Sequence, residues 1–237
     1  MKLVLVLLCL PLSLPFTTRY ITKFSWKTYL KLNDEKSLSD PIDSFNSFDK
    51  ILFNRFALAV ATELSKDKMD VPTTYNTLIA AINRLTHSRC SLEVNYRSKN
   101  MLVRLFPRGL LPAYKVIFGL FPTFSARMNA WVTHITTQWL MGNSQVIDNE
   151  KEKTLIVEKC RFLETSGCIQ TCIHACKVPT QNFFYDEMGL PVTLKPNLTD
   201  YSCRFEFGQF PLPVEQDSSL RSPCLSLCTR KNIDACK

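Results

Sequence analysis

The sequence predicts a mainly α, α+β fold: a helical amino-terminal half, then an irregular, cysteine-rich carboxy-terminal half carrying a few short strands. Three observations predict it. Apolar residues recur at helical spacing over residues 47–64, 73–87 and 125–141. Strand-like runs are short and late, at Thr154–Val157 and Tyr201–Phe207. Eight of the ten cysteines lie after Val157. With 237 residues, 46% of them apolar, the chain can fill a substantial core.

Four regions follow from composition: 1–15, 16–44, 45–147 and 148–237. Residues 1–15 carry one basic residue and then the apolar run Leu3-Val-Leu-Val-Leu-Leu-Cys-Leu10. That is the length of a signal-peptide core and too short to span a bilayer. Phe16-Thr-Thr-Arg-Tyr-Ile-Thr-Lys-Phe-Ser-Trp-Lys-Thr28 is hydroxyl-rich, basic and free of acids, as organelle transit peptides are. The tandem resembles the bipartite presequence of algae whose plastids lie inside the endomembrane system, with Phe16 as the aromatic residue after signal cleavage. A polar linker follows. The alternative is a secretory signal on a non-enzymatic, disulfide-rich protein, with Asn197-Leu-Thr199 as a glycosylation sequon.

In the 45–147 region Ser47 is placed to cap a helix running to about Leu64, with Ile51, Leu52, Phe56 and Val60 near helical spacing. A second helix, Thr73 to His87 after Pro72, presents Tyr75, Leu78, Ile79, Ile82 and Leu85 on one face. Both stripes are core. Residues 101–124 change character, being strongly apolar, basic and cut by Pro107, Pro112 and Pro122. Their alternatives are a buried hairpin with snorkelling cations or an interfacial membrane segment. A helix from Ser125 to Met141 repeats Met128, Trp131, Val132, Ile135 and Trp139, with His134 as a satisfied boundary histidine.

In the last region Thr154–Val157 reads as a strand, Gly167 opens a helical stretch to about Lys177, and Pro179 begins another that ends at Gly189. Tyr201–Phe207 alternates as an edge strand would, and Phe210-Pro-Leu-Pro-Val is extended.

Charge is uneven. Residues 84–127 hold eight basic groups and one acid, whereas 34–83 and 128–237 are slightly acidic. Positive charge within an apolar stretch suits an anionic membrane surface and sets nucleic acid aside as a partner. The expected membrane or substrate contacts are Arg104, Phe106, Arg108, Lys115, Phe118, Phe121, Trp131 and Trp139. No Gly-rich phosphate loop, nucleophile elbow or paired-histidine zinc motif occurs, which sets aside a nucleotide cofactor and serine hydrolysis. No catalytic acid–base pair stands out.

Chemistry concentrates in the cysteines. Cys168, Cys172 and Cys176 are spaced by four, and Cys224 and Cys228 repeat the spacing. Four residues of helix rise about 6 Å and turn about 40° past a full revolution, so neighbouring thiols share a face. Cys168 and Cys176 would stand about 12 Å apart on a straight helix, too far for one compact centre. Either the helix is interrupted, or Cys172 pairs with one neighbour while other ligands come from Cys160, Cys203 or the Cys224/Cys228 pair. The gaps match no ferredoxin or zinc-finger pattern. His174 is a candidate ligand or an exposed histidine, and Cys90 a plain buried or free thiol.

The block Val157-Glu-Lys-Cys-Arg-Phe-Leu-Glu164, with Cys168, Cys172, Cys176-Lys-Val-Pro-Thr-Gln181, Phe184, Gly189-Leu-Pro191, Pro196-Asn197, Asp200, Ser202-Cys203, Phe207-Gly208, Pro211 and Ser222-Pro-Cys-Leu-Ser-Leu-Cys228, resembles the plastid β-carotene isomerases of the strigolactone pathway, the dwarf-twenty-seven family. A weaker likeness runs back through Trp139-Leu-Met-Gly-Asn-Ser-Gln-Val146 and Leu105-Phe-Pro107 to about Phe45. The resemblance implies a plastid enzyme that interconverts all-trans and 9-cis β-carotene. It implies iron as cofactor, mononuclear or as an iron–sulfur cluster, with ligands among Cys160, Cys168, Cys172, Cys176, Cys203, Cys224 and Cys228. It also gives the apolar stretch a task, since a carotenoid must be taken from a membrane. Arg204 replaces a usual acid, and Phe210-Pro-Leu-Pro replaces consecutive prolines; both departures bear on substrate and product geometry. The family has subgroups, so the resemblance does not extend to strigolactone synthesis.

Overall fold

A computed structural model describes residues 40–65, 70–150, 152–213 and 216–221; the presequence, Cys224 and Cys228 lie outside them. Five helices come first: α1 (Ser47–Glu63), α2 (Tyr75–Ser88), α3 (Ser91–Val103), α4 (Leu110–Phe118) and α5 (Pro122–Met141). Strands β1 (Ser144–Asp148) and β2 (Lys153–Val157) lead into the short helices α6 (Arg161–Ser166) and α7 (Ile169–Thr171). A π-helical stretch, Cys172–Lys177, then runs directly into α8 (Val178–Met188), and β3 (Val192–Pro196) and β4 (Cys203–Phe207) close the sheet.

Local chemistry sets the boundaries. The cap of α1 is Asn46, whose side chain accepts the Asp49 amide at 2.9 Å, so the helix starts one residue after the true cap and Ser47 is its first turn. Thr74 and Thr77 form a reciprocal capping box on α2. Asp40 adds to it by accepting the Tyr75 and Asn76 amides, both at 3.1 Å. The expected α2 stripe of Tyr75, Leu78, Ile79, Ile82 and Leu85 is fully buried. Gly142, at φ 91°, ends α5 in a conformation that L side chains rarely adopt; a Cβ there would meet the Lys159 carbonyl at 3.2 Å.

The four strands form one antiparallel sheet in the order β1-β2-β4-β3. β4 is therefore central, not an edge strand. The register sets Val157 and Pro196 on either side of Cys203, and Leu155 and Leu194 on either side of Phe205. Cys203, Phe205 and Phe207 face inward while Arg204 points out to pair with Glu152 at 2.6 Å. The departure at Arg204 thus lies on the face of the sheet away from the core. Helix α5 packs across β1 and β2, and one hydrophobic cluster runs from Phe45 to Phe207. Trp139 anchors it, 5.8 Å from Phe53 and from Phe56 and 6.2 Å from Phe45.

Three expectations change. Helix α3 was hidden because it buries only Val94, Ser98 and Met101, one narrow line on a polar helix. Residues 101–124 are the end of α3, the helix α4 and the start of α5, not a buried hairpin. Gly167 closes α6 at φ 57° rather than opening a helix.

Candidate functional site

Cys160, Cys172, Cys176 and Cys203 line one small, largely enclosed cavity of about 10 Å³. They arrive from three pieces of chain. β2 ends at Val157, in register with Cys203. Three residues on, the Cys160 amide donates to the Tyr201 carbonyl at 2.8 Å, which draws Cys160 to the mouth of the β3–β4 hairpin. Tyr201 itself sits at φ 62°, the one non-glycine residue with positive φ among the described residues, and that turn aims its carbonyl. Cys172 and Cys176 come from the π-helical stretch, whose wider turn interrupts the α-helix where the two thiols face the cavity. Phe162, Leu163, Leu194 and Phe205 complete an apolar wall.

Cys168 goes elsewhere. It precedes α7, outside the cavity, with its sulfur 3.4 Å from His87 Nε2. The spacing by four therefore splits: Cys172 and Cys176 act together, with Cys160 and Cys203 as their partners from outside the helix. His174 is half-buried with Nδ1 3.3 Å from the Asn95 side-chain oxygen, its pKa lowered by burial, and it does not reach the cavity. Cys90 is disulfide-bonded and not a free thiol. Cys160, Cys168, Cys172, Cys176 and Cys203 are all free, which a disulfide framework across this half would not leave.

Burial pushes all four cavity thiols toward the protonated form. It raises Cys160, carries Cys176 up to about 12, and lifts Cys172 and Cys203 well above the ordinary thiol value. Repulsion among the four adds to the effect at Cys172, Cys176 and Cys203. Lys177, buried on the cavity wall, acts in the opposite sense on Cys172 and Cys203. Its ammonium donates to Asp217 Oδ2 at 2.5 Å and to Ser219 Oγ at 2.6 Å. Burial alone would raise the Asp217 pKa, but the bonds from Lys177 and Ser219 prevail and hold it below the usual carboxylate value. Sequence reasoning missed Lys177 because a lysine on a helix normally points to water, and its partner lies forty residues away.

Four soft sulfur donors suit iron, and the cavity is on the scale of a single ion or water. The sulfurs are not already gathered as a ligand set: among the described residues no three His, Cys, Asp or Glu side chains are grouped to hold a metal ion.

The expected contact residues scatter. Arg104 pairs with Glu63 at 2.5 Å, and Lys115 donates to the Asp186 carbonyl at 2.8 Å. Phe106 stacks on Phe183 and Phe118 on Tyr114. Trp139 is core and cannot meet a membrane. Arg108, Phe121 and Trp131 are exposed.

A mainly α, α+β protein that keeps a buried cluster of free thiols beside a buried lysine is built as something other than a disulfide scaffold. The family model for the C-terminal part of β-carotene isomerase D27-like proteins matches residues 135–216, from the second half of α5 through the whole cysteine site. Among curated proteins the chain is 31% identical over 192 residues to the chloroplastic β-carotene isomerase D27 of Arabidopsis thaliana, covering 78% of this chain and 71% of that one. It is 34% identical over 198 residues to the chloroplastic protein of the same name from Medicago truncatula, covering 80% and 76%. No solved structure matches. The chain belongs to the β-carotene isomerase D27-like family and is an isomerase. The chloroplastic location of both relatives agrees with the plastid address of the presequence.

Proposed function

We propose that this chain is a carotenoid cis/trans isomerase acting on β-carotene or a related carotenoid, with its chemistry seated at the four-cysteine cavity. One observation carries the reading: in a chain of this family, Cys160, Cys172, Cys176 and Cys203 converge on a single, largely enclosed, apolar space. We assign iron to that space, with these four thiols as the residues that would hold it. Iron bound there would supply a centre able to lend or withdraw an electron, which lowers the order of one polyene double bond long enough for rotation.

The protein's own groups support this reading. The walls from Phe162, Leu194 and Phe205 keep water from the sulfurs. Lys177 adds a fixed positive charge that offsets part of the charge of ligating thiolates. A space of about 10 Å³ admits an ion and not a polyene, so the carotenoid would lie outside its wall.

The test is isomer equilibration. Anaerobically prepared, iron-loaded protein is given all-trans or 9-cis β-carotene in separate reactions, with other cyclic carotenoids in parallel. The two isomers of the true substrate should reach one common ratio from either side, since a catalyst without a driving cosubstrate hastens an equilibrium and cannot move it. Isomer compositions that stay at the thermal background throughout the panel would overturn the reading.

A further inference from the structure

Helix α4 and the start of α5 present large apolar side chains to solvent in one uninterrupted stretch. Val116 is 74% exposed, Ile117 56%, Leu120 76%, Phe121 59% and Phe124 56%. Of α4 itself only Leu111 is buried. The inner side of the unit is fixed by a polar contact: the Tyr114 hydroxyl lies 2.8 Å from Ser125 Oγ and accepts from Asn129 Nδ2 at 2.7 Å. This seam holds α4 on α5 and leaves its apolar residues pointing outward. Phe118 stacks on Phe124 at 6.1 Å and joins the two exposed groups into one surface. Along α5 the surface continues at helical spacing through Met128 and exposed Trp131. Five large apolar side chains side by side are more than the scattered exposed hydrophobics of an ordinary surface.

The segment that builds this surface carries charge of one sign. No aspartate or glutamate occurs between residues 94 and 147. Arg104 and Arg127 are paired with Glu63 and Asp148, both at 2.5 Å. Arg108 is exposed, and Lys115 donates to the Asp186 backbone carbonyl rather than to a carboxylate. An apolar tip with a cationic margin and an aromatic border matches the boundary between acyl chains and anionic headgroups. No described helix is long and apolar enough to cross a membrane, so the surface would lie in the interface.

We propose that the α4–α5 corner is a membrane-docking tip that inserts Val116, Leu120 and Phe121 into an anionic bilayer surface. It stands independently of the reaction assigned above. Apolar insertion dominates, and Arg108 and Lys115 add a smaller, salt-sensitive part.

The test is vesicle flotation of the full chain. Vesicles of phosphatidylcholine with roughly one third phosphatidylglycerol supply the anionic surface. The triple variant Val116→Glu/Leu120→Glu/Phe121→Glu should lower partitioning at least tenfold. A control with Leu58→Glu/Leu92→Glu, exposed apolar residues of α1 and α3, should stay within twofold of the parent. The amino-terminal segment is common to all three proteins, so their difference reads the corner alone. The milder pair Leu120→Ser/Phe121→Ser serves if the triple variant loses its circular dichroism, and should lower partitioning several-fold. Sodium chloride at about 1 M, where screening acts over roughly 3 Å, should weaken parental binding only a few-fold. Equal flotation of parent and corner variants would overturn the proposal. So would a lipid-free parent that is dimeric while the corner variants are monomeric, which would make a second copy the occupant.

Discussion

At the scale of single residues, Cys160, Cys172, Cys176 and Cys203 share one cavity while Cys168 sits against His87. Cys172→Ser and Cys203→Ser each remove a donor from the cavity, and each should lower bound iron and isomerisation together by tenfold or more. Cys168→Ser, which touches His87 and not the cavity, should keep its iron; metal analysis of the three variants beside thiol counts checks the division. Lys177→Met would leave Asp217 without its buried partner, and removing one member of such a pair costs about 3 kcal/mol. A fall of the urea midpoint by that equivalent is the expected reading. The pair also fixes a pH dependence. The folded-state pKa of Asp217 is lowered, so its contribution is complete above the ordinary carboxylate range and is lost as pH falls through the lowered value. Asp217→Asn should therefore show a smaller loss of stability between neutral and strongly acid pH than the parent.

At the scale of elements, the long-period stripes were legible and the short elements were not. The α2 stripe could be read because burial recurs at three and four residues over several turns. On α5 the helix was legible but its inner face was not: of Met128, Trp131, Val132, Ile135 and Trp139 only Trp139 is buried, and the face toward the core carries Ser125, Ala126, Asn129, Ala130 and Thr133. Strands β1 and β3 were missed: each has five residues, and β1 is only half-buried along its length. The π-helical stretch could not be read either, since nothing in Cys172–Lys177 distinguishes it from an α-helix by composition. Deleting Ala175 tests what the extra residue does. With α-helical pitch restored, the two thiols would stand three residues apart, about 60° from each other around the axis. Helix content by circular dichroism should be unchanged while iron binding falls severely.

At the scale of the whole molecule, one core joins the helices to the sheet, and the thiol cluster sits where α6, the π-helix and the β3–β4 hairpin meet. The four-region division by composition did not show that junction, because Tyr201 and Lys177 act through backbone direction and burial, which leave no mark in residue type. The hairpin has a further consequence, for the speed at which anything reaches the sulfurs. Pro196 stands opposite Cys203 at a position whose N–H would point away from β4, as the Leu194 amide does toward Gln181. The ladder therefore loses no bond there and runs on past the cavity wall to Asn197 and Ser202. Beyond it the tip is held by the Asn197 amide on the Ser202 carbonyl at 2.8 Å and by the side chains of Asn197 and Asp200. The tip is the natural door: local opening there exposes Cys203 and, through the Tyr201 carbonyl, releases Cys160. Uptake and loss of a bound ion would then follow a hinge rate set by six loop residues rather than the rate of global unfolding. In metal-free protein, Asn197→Ala/Asp200→Ala should speed alkylation of Cys160 and Cys203 several-fold and leave Cys168 unchanged, as site-resolved mass spectrometry would show.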